Sequence, residues 1–168
     1  IVILHSLGQG GLLSNLSLTS FQYKSVWLLE IIAFCAVDIF ALISGYVSYK
    51  EEDTKVKYSS YFVLWFEVVF YGLLITGIFN IIDPKIVSIS SYTKVIFPVY
   101  HGLYWYFTAY TGLYILMPLI NKGIRNCSNE TLKKLFLLII IVFSIFDTFT
   151  NRFSFSKGYT FIWVVLLY

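Results

Sequence analysis

Charge is what this sequence lacks. Only 12% of its 168 residues are Asp, Glu, Lys or Arg, against about 25% in a soluble domain, so a water-facing surface cannot be built from it. Cysteine is scarce too: Cys35 lies in an apolar run and Cys127 in a polar stretch, which excludes a disulfide framework or a cysteine metal site. No phosphate-cradling glycine loop, no metal-ligand spacing and no G-x-S-x-G elbow occurs. The net charge of +3 is small and dispersed, which argues against a nucleic-acid partner. The chain opens on Ile1 without a basic leader or a cleavage site, so its first apolar run does not read as a signal peptide. Apolar runs reach both ends, and the expectation is a piece of a longer protein, cut at both ends inside hydrophobic segments.

What is present is apolar and aromatic. Hydrophobic residues make up 58% and aromatic residues 20%, with a mean hydropathy of +0.78. Several runs approach the ~20 residues of helix that cross a hydrocarbon core. Reading apolar runs against polar breaks predicts an all-α, polytopic transmembrane bundle with about four complete and two partial spans. A first stub covers residues 1–13 and ends in Gly8, Gly10 and Gly11; complete spans cover 25–49, 59–82, 103–120 and 132–150; a last one begins near Tyr159. The whole is expected to form part of one domain. Between 82 and 103, the semi-apolar stretch at 86–97 is too short to span. It either lies on the outer interface, the more frequent case, or dips back into the protein.

Lys and Arg orient the bundle. Seven fall on one side (Lys50, Lys55, Lys57, Lys122, Arg125, Lys133, Lys134) and five on the other (Lys24, Lys85, Lys94, Arg152, Lys157). The richer side is expected to be cytoplasmic. Tyr23, Trp27, Tyr49, Tyr104, Trp105 and Trp163 sit near span ends, as an interfacial aromatic belt does.

The informative side chains are those that are costly where they lie. An acid at mid-span costs about 2.5–3.5 kcal/mol on insertion scales and therefore faces a partner or a wet cavity. Glu30, Asp38, Glu67 and Asp147 qualify, and His5 joins them on the first stub. Glu30 lies five residues into its span, and His5 a few residues before the glycine cluster, so both fall toward the outer side. Helices joined by a short loop are neighbours, which lets His5 and Glu30 meet. Asp38 follows about two turns deeper and roughly 80° around the helix. An imidazole held by a carboxylate is a general-base arrangement; the same pair also serves simply to lock two helices, which is the more frequent use. Glu67 and Asp147 favour helix-packing or interfacial roles, and Ser44, next to Gly45, favours close helix packing over nucleophilic chemistry.

Three blocks of sequence resemble a known family. VDIFALISGYVSY at Val37–Tyr49 looks like the second-span signature of the acyltransferase 3 family of membrane O-acyltransferases, which modify surface polysaccharides and glycans. HSLGQ from His5 fits its first span, although the basic residue that precedes the family's histidine by eleven positions would fall before Ile1. YWYFTAYTGLYILMPLI at Tyr104–Ile120 is similar to its aromatic span. The resemblance implies a single bundle of which this chain holds roughly half. It implies His5 as the essential histidine, Phe40, Ser44, Gly45 and Tyr46 as the second-span signature, and Trp105 and Tyr106 as the aromatic pair of the substrate site. It further implies an acyl-CoA donor, usually acetyl-CoA, as co-substrate with no bound cofactor, and a polysaccharide or lipid-linked glycan as acceptor. A bacterial inner membrane is the implied location. Glu30 has no counterpart in the family's motifs and rests on depth alone. The rival reading from the residues is a proton-coupled transporter or permease, and a third is a structural or assembly subunit.

Overall fold

The computed structural model describes residues 2–8, 10–17, 20–49, 57–150, 152 and 160–168. Most of the charged turn at 50–58, the loop at 151–159 and the start of the last span lie outside them. All regular elements among the described residues are helices. They fall into two compact units, Ile1–Tyr49 with Ile139–Tyr168, and Lys50–Leu138.

In the first unit the predicted stub is two short helices, α1 (Val2–Gly8) and α2 (Leu12–Asn15). The glycines stop α1: the Gly10 amide donates to the His5 carbonyl at 3.0 Å, and Gly11 takes φ 74°, a left-handed conformation that glycine adopts without steric cost. The long helix α3 (Phe21–Ser48) starts at Ser20, whose hydroxyl accepts from the Tyr23 amide at 3.1 Å, an N-cap interaction that satisfies one of the orphan donors of the first turn. Its buried residues are Glu30, Val37, Ala41 and Gly45. They fall on one stripe of a 3.6-residue helix. At Gly45 the backbone of Tyr168, at the end of α9 (Phe161–Leu167), comes so close that an added Cβ would overlap its carbonyl. The glycine of the second-span signature is thus a helix-contact point.

The predicted span at 132–150 begins earlier and is not uniform. It comprises α7 (Asn129–Ile139), a π-helical stretch at Ile140–Phe146 and α8 (Asp147–Thr150). A π-helix closes i→i+5 bonds and winds more residues into each turn, so Asp147 emerges at a different angle than a continuous α-helix would give it. Asp147 is 1% exposed.

The second unit is built on α4 (Tyr58–Ile82). Apolar residues go all the way round it, and Phe62, Val63, Phe66 and Phe70 are exposed. A helix without a polar face suits hydrocarbon surroundings. Among the described residues two helices, Phe21–Ser48 and Tyr58–Ile82, are long and apolar enough to cross a membrane.

The stretch at 86–97 takes the less frequent of its two readings. It forms α5 (Ile89–Ile96), opened by a Ser88–Ser91 capping box, and α5 folds back along α4. Gly72 makes room for it: a Cβ there would stand 2.6 Å from Val95 Cγ1. The following turn, Phe97–Tyr100, reaches Trp65, Phe62 and Tyr61, about 25–30 Å of helix rise back from Ile82. Consequently α6 (Trp105–Arg125) begins beside the first turns of α4, where simple alternation of spans would have put it level with Ile82. The Phe107 ring stacks on Tyr61 at 6.2 Å, and the Tyr114 hydroxyl donates to the Lys57 carbonyl at 2.7 Å.

Candidate functional site

In the first unit α1 packs against α3, and their contact holds the least affordable group in the unit. Glu30 is 6% exposed. An extra Cβ at Gly8 would lie 3.3 Å from Glu30 Oε1, so the absent side chain of Gly8 is what lets the carboxyl group rest on α1. The other oxygen, Oε2, is buried without a hydrogen-bond partner among the described residues. Buried polar atoms are almost always paired, and a lone unsatisfied acid oxygen costs on the order of 1–3 kcal/mol. Such a cost persists where the group serves something other than stability.

His5 is three residues before Gly8 on α1, which makes them neighbours on the helix surface. The two candidates therefore come to the same pair of helices, but Glu30 meets Gly8, one turn along from the histidine. The His5 side chain is exposed and makes no hydrogen bond to either carboxylate. The reason is register: sequence depth placed both groups toward one end, whereas packing aligned Glu30 with the glycine that has room for it. Asp38 is half-buried, beside the buried stripe and two turns of helix beyond Glu30. An exposed imidazole with a buried, unspent carboxylate a turn away can accept a proton and then be stabilised as imidazolium once the two close up; such bonds are often long in unliganded sites.

Along α3 the signature residues divide by face. Gly45 is buried, Ser44 is half-buried, Phe40 is exposed and Tyr46 is 87% exposed. Tyr46 is therefore available to a ligand or a further helix, and Gly45 carries the α9 contact. Asp147 is the buried acid that sequence depth had assigned to packing or an interface. Glu67, given the same pair of roles, is exposed on α4.

Trp105 and Tyr106 lie in the second unit, at the start of α6. Their rings meet edge to face at 5.7 Å, and Tyr106 begins a ladder through Tyr110 to Tyr114 with ring spacings of 6.4 and 6.1 Å. Spacing of four residues puts these rings on one helix face. Tyr61 closes on the ladder, 5.3 Å from Tyr114. Sequence reading had Trp105 and Tyr106 but not the rest of this row, although the i, i+4 spacing of Tyr106, Tyr110 and Tyr114 was there to be seen.

The sequence model of a family described as an acyltransferase domain matches residues 1–168, the whole chain. No curated protein matches, and no solved structure does.

Proposed function

The chain belongs to the acyltransferase 3 family, and from that premise we propose that it is part of a multi-pass membrane O-acyltransferase that moves an acetyl or other acyl group from acyl-CoA to a sugar hydroxyl. The acceptor in this reading is a cell-surface polysaccharide or a lipid-linked glycan, and the location is a bacterial inner membrane. The observation that carries the site is the buried Glu30 oxygen without a partner, lying on α1 one turn from His5.

In the reaction His5 takes the proton of the acceptor hydroxyl as its oxygen attacks the thioester carbonyl carbon. The tetrahedral intermediate collapses with cleavage of the C–S bond, and the proton passes to the departing thiolate. Glu30 accepts a hydrogen bond from the ring and stabilises its cationic form, the role that a carboxylate plays beside a catalytic histidine. Asp38, further along the same helix, is the second acid of the proposed site. Tyr46, exposed on α3, is the proposed substrate contact of the first unit, and the Trp105–Tyr106 pair, on α6, that of the second; aromatic faces suit a sugar ring or an acyl carrier.

The test is transfer of label from [acetyl-14C]acetyl-CoA to glycan in membranes containing the protein. Acetyl-CoA-dependent labelling that disappears in His5→Ala supports the reading. Normal labelling by His5→Ala would remove His5 from the chemistry, and proton-coupled solute uptake with no acyl transfer would replace the enzyme with a carrier.

A further inference from the structure

The second unit contains a cavity of about 520 Å³ that the acyl-transfer reading leaves unused. It is walled by Tyr61, Phe62 and Trp65 of α4, by Phe97 and Pro98 of the returning turn, and by Thr111 of α6. No charged side chain lines it. Its size is within the range of small-molecule sites, about 300–1,000 Å³.

The hydroxyls in the wall are already spent. Thr111 donates its single proton to the Phe107 carbonyl at 2.8 Å. Its oxygen is 2.9 Å from the Tyr61 hydroxyl, so Tyr61 must be the donor there. Neither group has a proton left for a ligand. The donors that remain are the Trp65 indole N–H and, at the rim, the Tyr100 hydroxyl, neither of which has a partner among the described residues. A sugar or a nucleotide would lose most of its hydrogen bonds in such a space. A hydrocarbon chain ending in one carbonyl would lose none.

Volume and charge narrow the occupant. A cavity of ~150 Å³ takes the six carbons of benzene, so this one has room for on the order of ten to twenty carbons: one chain, not the pair of a diacyl lipid. Lys57, exposed, lies one helical turn before Tyr61, at the end of α4 that the lysine-rich 50–57 segment assigns to the cytoplasm. A cation one turn before a wall residue suits an anionic carrier arriving from that side.

We propose that this cavity binds the hydrocarbon chain of the acyl donor, a single linear acyl group of more than a few carbons carried as a thioester on an anionic carrier, so that the protein's donors extend beyond acetyl. The proposal rests on the acyl-transfer reading and names its donor class.

The protein in lipid nanodiscs is irradiated with a diazirine-tagged dodecanoyl-CoA, digested and mapped by mass spectrometry. Label is expected on Phe62, Trp65 and the Phe97–Tyr100 turn. Excess dodecanoyl-CoA should lower it by about tenfold or more, whereas acetyl-CoA and a didodecanoyl phospholipid should not. Labelling should also rise with chain length from butanoyl to dodecanoyl, a measurement that needs no variant, and Val99→Trp, which fills the space, should suppress it. Label at the cavity that the phospholipid displaces as well as the thioester does would make this a bilayer-tail site and overturn the proposal, as would labelling indifferent to chain length. Acetyl transfer in the same nanodiscs with no label in the cavity overturns the proposal and leaves the acyl-transfer reading intact; no transfer from any donor overturns both.

Discussion

In the first unit the buried polar groups include two acids, Glu30 and Asp147, and one oxygen of Glu30 has no partner among the described residues. In the second unit no acid is buried among the described residues; Glu67 is exposed, Asn121 is the buried polar side chain, and the hydroxyls of Tyr61 and Thr111 close into a chain ending on a carbonyl. A closed chain of neutral hydrogen bonds stiffens a helix pair at little electrostatic cost. An acid with an unspent oxygen adds cost without stiffness, and in a membrane that is the mark of a group kept for chemistry. The proposed reading accordingly puts the reaction on the α1–α3 pair and ligand shape on the α4–α6 pair.

The strongest way to break this division is at His5. His5→Ala should lower acyl transfer by about 10²–10⁴-fold, with insertion and oligomeric state unchanged by gel filtration; a loss of insertion instead would make the residue structural. Next comes the paired comparison of acids. Glu30→Gln should lower transfer on the order of 10²-fold, whereas Glu67→Gln, exposed on α4, should stay within about twofold. Equal effects would erase the distinction between the units.

Two smaller effects sharpen it. Gly45→Ala drives a methyl group into the Tyr168 carbonyl and should cost about 1–3 kcal/mol in unfolding free energy, read by denaturant titration in micelles. Gly77→Ala, with no heavy atom within 4 Å of the new carbon, should be neutral or gain up to ~1 kcal/mol. Smallest is the hydroxyl chain: a double-mutant cycle of Tyr61→Phe and Thr111→Val should give a coupling of about 0.5–1.5 kcal/mol. A coupling of zero would mean that the two hydroxyls do not share a proton in the membrane.

Much of the architecture was legible in residues alone. Apolar run length located α3 and α4 to within a few positions, and the glycines at 10 and 11 marked the end of α1. The extent of α6 was less visible, because Asn121, Lys122 and Arg125 read as a turn yet continue the helix to Arg125; polar residues in a last turn satisfy carbonyls and oppose the helix dipole without ending the helix. The π-helical stretch left no signal at all in IIVFSIF, since a run apolar on every side has no periodicity to shift. For the site, sequence depth brought His5 and Glu30 to the same helix pair and missed the position of contact by one turn.

By itself the sequence determined the class of the protein, the positions of its long helices and the family, because run length, composition, end-capping residues and motif spacing are local and survive in one dimension. Tertiary structure alone decided that Glu30 rests on Gly8, that Asp147 turns inward while Glu67 does not, and that α5 doubles back along α4 beside an open apolar cavity. Each of these depends on which small residue stands opposite which large one across two helices. In a chain that is apolar on all faces, hydrophobic periodicity carries no instruction about that choice.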